Sequence, residues 1–337
     1  MKAIGYQKSL SIDHPDSLQD IVLDDPHPSG HDLLVEIKAV SVNPVDAKMR
    51  MRTEPSPGSW QVLGWDAAGV VRDVGPEVKL FKPGDRVWYA GAIDRPGTNS
   101  ELHLVDERIV GHMPQVLGFM QAAALPLTSI TAWELLFDRL QVEQGGNNGS
   151  RSLLIIGAAG GVGSIMVQLA RKLTNLIVIG TASRPQTRAW VTDLGAHEVI
   201  DHGRPLSEEL KKLDRPSVDY IVSLNSTDQH FEQIVEAIAP QGKFALIDDP
   251  EPIDVRLLKR KSVSLHWELM FTRSLFKTPD MIKQHQLLDR ISALVDDGTV
   301  RTTLGSHFGT INADNLKRAH QLLESGSSCG KIVLEGF

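Results

Sequence analysis

The sequence predicts an α/β protein made of a β-rich domain and a second domain built on a doubly wound parallel sheet. Three observations predict it. The first third is β-like sequence cut by frequent turns. From Leu153 onward, apolar strands alternate with amphipathic helices. Between the first such strand and its helix lies a glycine-rich run, IIGAAGGVGS, at residues 155–164.

In chain order, DLLVEIKAVSV (32–42) alternates in part and AAGVVRDVG (67–75) is a second β-like run. In FKPGDRVWYAG (81–91), Pro83 presets φ and Gly84 accepts a positive φ, which makes a turn before a strand. Short strands with frequent turns suggest a compact, barrel-like domain. Then LGFMQAAALPLTSITAWELLF predicts two helices broken at Pro126, and EQGGNNGSRS (143–152) predicts a flexible loop. The strands LLIIG, LIVIGTA, HEVID, VDYIVSL and KFALID follow, separated by the helices SIMVQLARKL, PQTRAWVTDLG and DQHFEQIVEAIAP. After about residue 255 the alternation becomes irregular. The chain closes with the helix ADNLKRAHQLLESG and the strand GKIVLEGF. The resulting layout has residues 1–117 and 259–337 in one domain and 118–258 inserted as the parallel-sheet domain.

Composition narrows the function. The 337 residues are 41% hydrophobic and 23% charged, with a formal net charge of −7 and no basic run, so nucleic acid is not an expected partner. Cys329 is the sole cysteine, which excludes an intramolecular disulfide and suits a reducing compartment. MKAIGYQKSL lacks the apolar core of a signal peptide, and no apolar run approaches the roughly 20 residues of a membrane span. A cytoplasmic protein with no membrane partner is the expectation.

The glycine-rich run has the context of a dinucleotide-binding turn: strand before it, periodic helix after it. Ala158, Gly160 and Gly163 align with the three fingerprint positions, and Gly161 is added. Gly160 lets the backbone approach a pyrophosphate, and Gly163 lets the helix pack closely on its strand. Ala159, Gly160, Gly161 and Val162 are therefore cofactor-binding candidates. NAD sites carry an acid about 20 residues on, at the end of the second strand. Here that end carries Thr181, Ser183, Arg184 and Arg188 and no acid. A hydroxyl and two guanidiniums suit the 2′-phosphate of NADPH.

SVNPVDAKMR (41–50), LGWDAAGVV (63–71), FKPGDRV (81–87), LPLTSITAWELL (125–136), GAAGGVG (157–163) and GKIVL (330–334) together resemble the medium-chain dehydrogenase/reductase superfamily, in its zinc-free, quinone-oxidoreductase-like branch. LIDDP (246–250) and HWELMFTRS (266–274) resemble a bacterial subgroup often labelled zinc-type alcohol dehydrogenase-like. The resemblance implies a GroES-like catalytic domain, a Rossmann NADPH-binding domain and an active site in the cleft between them. It also implies that zinc is absent. Zinc-bearing members have cysteine where this chain has Asn43 and a His-Glu pair where it has Trp65-Asp66. His27 and His31 are four apart, but Pro28 and Gly30 between them prevent a helix from aligning them.

Lacking a Lewis acid, hydride should go to a quinone or to the β-carbon of an α,β-unsaturated carbonyl, whose developing charge a few hydrogen bonds can stabilise. By position in the family, Thr128 faces the nicotinamide, His202 lies near the adenosine phosphate, Ile247 runs beside the carboxamide and Lys331 lies near the cofactor. Asn43, Lys48 (on a loop after the first long strand) and Tyr89 are the catalytic candidates. Trp65, Trp267 and Phe271 are candidates for an apolar substrate pocket. Relatives often dimerise through the edge of the Rossmann sheet, and KFALID is a candidate edge. The alternatives are a zinc-free carbonyl reductase, a non-catalytic NADPH-binding sensor, and a true zinc alcohol dehydrogenase, which would require bound zinc.

Overall fold

Two chain crossings, after Ile130 and after Met270, divide the protein into two units in the computed structural model, which describes residues 1–146 and 149–337. Asn147 and Asn148, in the loop expected at 143–152, lie outside the described residues.

The first unit starts with β1 (Lys2–Tyr6), the centre of a three-stranded sheet between β2 (Gln19–Val22) and β4 (Gln61–Val62). β3 (Asp32–Val42) places Leu33, Val35 and Ile37 inward and the residues between them outward, as its partial alternation predicts. Next comes α1 (Pro44–Arg52) rather than a loop. Asn43 caps it in an extended conformation, Pro44 supplies a preset φ at the first position, and Asp46 accepts the Asn43 N–H through Oδ2 at 2.7 Å. β5 (Ala67–Val74), β6 (Arg86–Tyr89), β7 (Leu102–Asp106) and β8 (Val110–His112) follow, then α2 (Phe119–Ala123) and α3 (Pro126–Trp133).

A short π-helix (Glu134–Arg139) continues α3 into the second unit. There β9 (Ser152–Ile156), α4 (Gly161–Leu173), β10 (Ile177–Thr181), α5 (Pro185–Asp193), β11 (Glu198–Ile200), α6 (Leu206–Lys211), β12 (Val218–Ser223), α7 (Thr227–Ala237), β13 (Ile238–Leu246) and β14 (Ser264–Trp267) form a doubly wound fold. All the strands are parallel, in the order β11-β10-β9-β12-β13-β14. The chain therefore reverses direction of winding beside β9, where ligands bind in such sheets. Leu154, Ile156, Ile179, Ile221, Phe231, Ile234, Phe244 and Leu246 are among the buried side chains of its core.

Back in the first unit, α8 (Thr272–Leu275), α9 (Ile282–Asp296), β15 (Leu304–His307), α10 (Ala313–Glu324) and β16 (Lys331–Glu335) complete the chain. The larger sheet runs β15-β16-β3-β5-β6-β8, with β7 also paired to β3. The unit boundaries differ from the expected breaks at 117/118 and 258/259. α2 packs on β3, β5 and β16, which draws residues up to Ile130 into the first unit. β14 hydrogen-bonds to β13, which draws residues up to Met270 into the second. That sixth strand also covers KFALID, so β13 is interior and β14 is the edge. Among the described residues no helix is long and apolar enough to cross a membrane.

Candidate active site

In the second unit the strand-to-helix turn after β9 has the shape a dinucleotide requires. Gly157, at φ +84°, turns the chain, and a Cβ there would sit 2.4 Å from Asn225 Oδ1. The left-handed glycine is thus Gly157, one residue before the aligned Ala158, so the working pattern is G-x-x-G-x-x-G. A Cβ on Gly163 would lie 2.4 Å from Gly157 O and 2.5 Å from Ala158 Cα, so only glycine lets α4 approach β9 this closely. Gly160 is different: a Cβ there would meet only Gly157 O, at 3.5 Å. The space before Gly160 is open, and the first amides of α4 have no carbonyl four residues back. Those donors at the positive end of a 13-residue helix suit a pyrophosphate, so the residues fit a dinucleotide.

The other expected cofactor residues of this unit lie past the carboxyl ends of parallel strands. Ser183 and Arg184 are exposed after β10, His202 is half-buried after β11, and Ile247 is half-buried after β13. Arg188 has a different task. Its guanidinium donates to Ala182 O and, at 2.7 Å, to Val199 O, which braces the ends of β10 and β11. It shapes the loop that bears Ser183 and Arg184. Thr181 Oγ1 accepts the Gly157 N–H at 3.1 Å, tying β10 to the turn. Sequence reasoning missed Asn225, which stands over Gly157, and Asp248, which caps α7 by accepting from Thr227 N–H at 2.9 Å.

In the first unit, Asn43 belongs to a buried polar cluster. Lys331, 3% exposed on β16, directs its ammonium to Val42 O at 2.9 Å, Asp66 Oδ2 at 3.0 Å and Asn43 Oδ1. Three donors meet three acceptors. Asp66 Oδ2 also accepts from Asn43 Nδ2 at 2.9 Å and Ser41 Oγ at 3.0 Å, and its Oδ1 accepts the Leu127 N–H at 2.9 Å. Asp46 stands next to them, fully buried, and its Oδ1 has no hydrogen-bond partner among the described residues. Burial, opposed by the Asn43 N–H and the Lys331 charge, raises its carboxyl to about 7. Lys331, expected near the cofactor, has its three ammonium protons taken up by protein oxygens. Asn43 likewise has both polar ends of its side chain engaged.

Thr128, one residue beyond the Leu127 amide, is buried, and its hydroxyl donates to Leu125 O at 3.1 Å, leaving its lone pairs to accept. Lys48 is half-buried on α1. Tyr89, the other expected proton donor, is wholly buried. Its hydroxyl pairs with His103 Nδ1 at 3.0 Å, and His103 Nε2 pairs with Pro96 O at 2.9 Å. Since Pro96 O can only accept, the imidazole is protonated on Nε2 and takes the phenol's proton in a hydrogen bond. Burial pushes the Tyr89 phenol well above its ordinary pKa and the His103 imidazole down to about 4. This is a packed internal pair. Trp65 and Phe271 do meet, edge to face at 6.3 Å, but both are buried, and Trp65 Nε1 donates to Ala92 O. They are core, offering little surface to a substrate. Trp267, on the β14 edge of the other unit, is 54% exposed.

A zinc ion does not fit the cluster. Zinc needs at least three protein donors of Cys, His or carboxylate type, and among the described residues no group of three such side chains converges. Asp66 is saturated, and the ammonium stands where a cation would have to enter.

Comparison with known proteins gives two family matches: Alcohol dehydrogenase GroES-like domain over residues 29–126, and Zinc-binding dehydrogenase over residues 194–334. The chain is 42% identical over 336 residues to a zinc-type alcohol dehydrogenase-like protein of Staphylococcus epidermidis, covering 99% of both. A crystal structure from Rhizobium etli CFN 42, provisionally described as a zinc-dependent alcohol dehydrogenase protein, is 57% identical with a TM-score of 0.97, over 100% of this chain and 98% of that one. The quinone oxidoreductase of Escherichia coli, solved with NADPH, superimposes with a TM-score of 0.84 at 25% identity, over 99% of this chain and 100% of that one.

Proposed function

The chain belongs to the medium-chain dehydrogenase/reductase superfamily, and from that premise we propose that it transfers hydride from NADPH to a quinone or an α,β-unsaturated carbonyl compound without a catalytic metal. That it is an oxidoreductase using a nicotinamide cofactor follows from the family and the turn after β9. The observation that supports the finer reading is the Asn43–Asp66–Lys331 cluster, whose oxygen acceptors and resident ammonium suit zinc poorly. A metal-free site favours acceptors whose own conjugation spreads the developing charge.

When bound, NADPH would supply the hydride. The backbone amides of Gly160, Gly161 and Val162 would hold its pyrophosphate, and Ser183 and Arg184 would hold the 2′-phosphate. By position in the family, Ile247 would run beside the nicotinamide carboxamide, and Thr128 is the first unit's residue assigned to the nicotinamide. For the proton that completes the reduction we retain Lys48, on α1, or a water it orients, and set aside Tyr89, whose hydroxyl faces His103. The E. coli quinone oxidoreductase structure with NADPH supports the cofactor choice, as does the absence of an acid after β10.

The test follows NADPH absorbance in chelator-treated enzyme with a simple enone, an ortho-quinone and an unactivated ketone. Consumption with either of the first two and none with the ketone is expected. Consumption only after zinc is added back, or only with the ketone, would refute the reading. Arg184→Glu is expected to weaken NADPH at least about 10-fold and leave NADH nearly unchanged.

A further inference from the structure

We propose that Lys331 is the resident cation of this protein, a positioning residue whose ammonium fixes the head of α1 and the start of α3 at a place that takes no metal. The inference rests on the metal-free reading above and deepens it by naming the residue that stands in the metal's stead.

Four chain segments that are far apart in sequence meet in this cluster, two of them directly on the ammonium and one through Asp66. Val42 and Asn43 end β3 and open α1, Asp66 precedes β5, Leu127 lies in the first turn of α3, and Lys331 begins β16. Every donor and acceptor in the inner shell is engaged. Lys331 has three acceptors for three protons, and Asp66 has four donors on its two oxygens. A buried amide such as that of Asn43 can turn over by half a rotation at little cost unless both ends are held. Here Lys331 holds the oxygen and Asp66 holds the nitrogen, so Asn43 has one orientation. Asn43 in turn caps the helix that carries Lys48, and Asp66 holds the amide beside Thr128. The cation therefore sets the positions of two groups assigned to the reaction without touching the reactants.

A lysine that merely filled space would not need three backbone and side-chain oxygens, since a buried charge is kept only where its pairing is complete. The acceptors, a carbonyl, an amide oxygen and a carboxylate, are also hard oxygen donors suited to an ammonium ion and lack the sulfur or imidazole that zinc prefers.

The test is chemical rescue. Lys331→Ala removes three methylenes and the ammonium, which n-propylammonium replaces atom for atom. The variant is expected to melt about 10 °C below wild type. n-Propylammonium should then raise its melting temperature with rising concentration, and zinc should not. Equal or better recovery with zinc, or no recovery with n-propylammonium from a folded variant, would overturn the proposal. If Lys331→Ala does not fold, the pair Lys331→Met/Asp66→Asn removes both charges together and keeps the volume. A folded double variant should lose about 100-fold in kcat while its NADPH Kd stays within about twofold. A double variant with wild-type kcat would refute the positioning role. The melting experiment needs no turnover, so it decides the role of Lys331 even if no acceptor in the panel is reduced, an outcome that would refute only the proposed function.

Discussion

At the scale of single residues, the most informative side chain is Asp46, because its burial couples the cluster to pH. Asp46 lies near an ammonium already paired with Asp66, and the burial that lifts its carboxyl from 3.8 to about 7 makes the folded protein prefer the protonated acid. A folded pKa above the unfolded one contributes stability in full below pH 4, and that contribution is lost as the pH rises through 7. Asp46→Asn keeps an oxygen for the Asn43 N–H and cannot ionise. It should therefore match wild type near pH 4 and exceed it at pH 8, by at most about 4 kcal/mol. Chemical denaturation of both proteins across this range reads the difference directly. Parallel stability curves would show that Asp46 is ionised in the folded state throughout. None of this was legible in the sequence beyond the residue types. Asn43 was recognisable from its place after the first long strand, but its partners Asp66 and Lys331 lie 23 and 288 residues away. Tyr89 misled for the same reason, since the His103 that accepts its hydrogen bond is visible only once β6 and β7 have folded.

At the scale of elements, what the sequence revealed and what it hid follow one rule. Periodic, apolar or turn-marked segments declared themselves, as the five strands and the α4, α5 and α7 helices of the second unit show. Elements fixed by partners did not. β14 is four residues long and owes its existence to β13. α1 has no apolar stripe, yet its start was marked all along by an asparagine, a proline at the first position and an aspartate at the third, a capping pattern that outweighs periodicity here. The turn before α4 allows a sharp prediction because its glycines have distinct tasks. Gly163→Ala forces a Cβ to 2.4 Å from Gly157 O, so α4 must move off β9, at a cost of about 2 kcal/mol in stability. Gly160→Ala adds a Cβ into open space, with its nearest atom at 3.5 Å, so the fold should melt as wild type. That methyl group stands where the pyrophosphate approaches and should weaken NADPH about 10-fold or more. Melting curves and cofactor fluorescence titrations on the two variants separate these effects. If Gly160→Ala binds NADPH as wild type does, the pyrophosphate does not pass this turn.

At the scale of the whole molecule, the open question is what covers the free edge of the parallel sheet. Among the described residues β14 pairs only with β13, so its outer backbone groups have no strand beside them, and sheets left in that state invite another chain. The second unit exposes large apolar side chains on and around this strand: Trp267 at 54%, Leu269 at 51%, Val255 at 47% and Leu257 at 46%. Isolated apolar residues are ordinary on a surface, but four of them within fifteen positions that include an edge strand make this the face on which a second copy is expected. A second copy of this chain, related by a twofold axis, would lay its own β14 antiparallel beside the first and extend the sheet through both protomers. The protein is therefore expected to be a homodimer at micromolar concentration, and Trp267→Glu, which adds a charge to each side of that seam, is expected to be monomeric with an unchanged melting temperature when dilute. Analytical ultracentrifugation over a concentration series distinguishes the two species. A wild-type protein that sediments as a monomer throughout, or a Trp267→Glu variant that remains dimeric, would show that the β14 edge is capped by water alone or that the copies meet elsewhere.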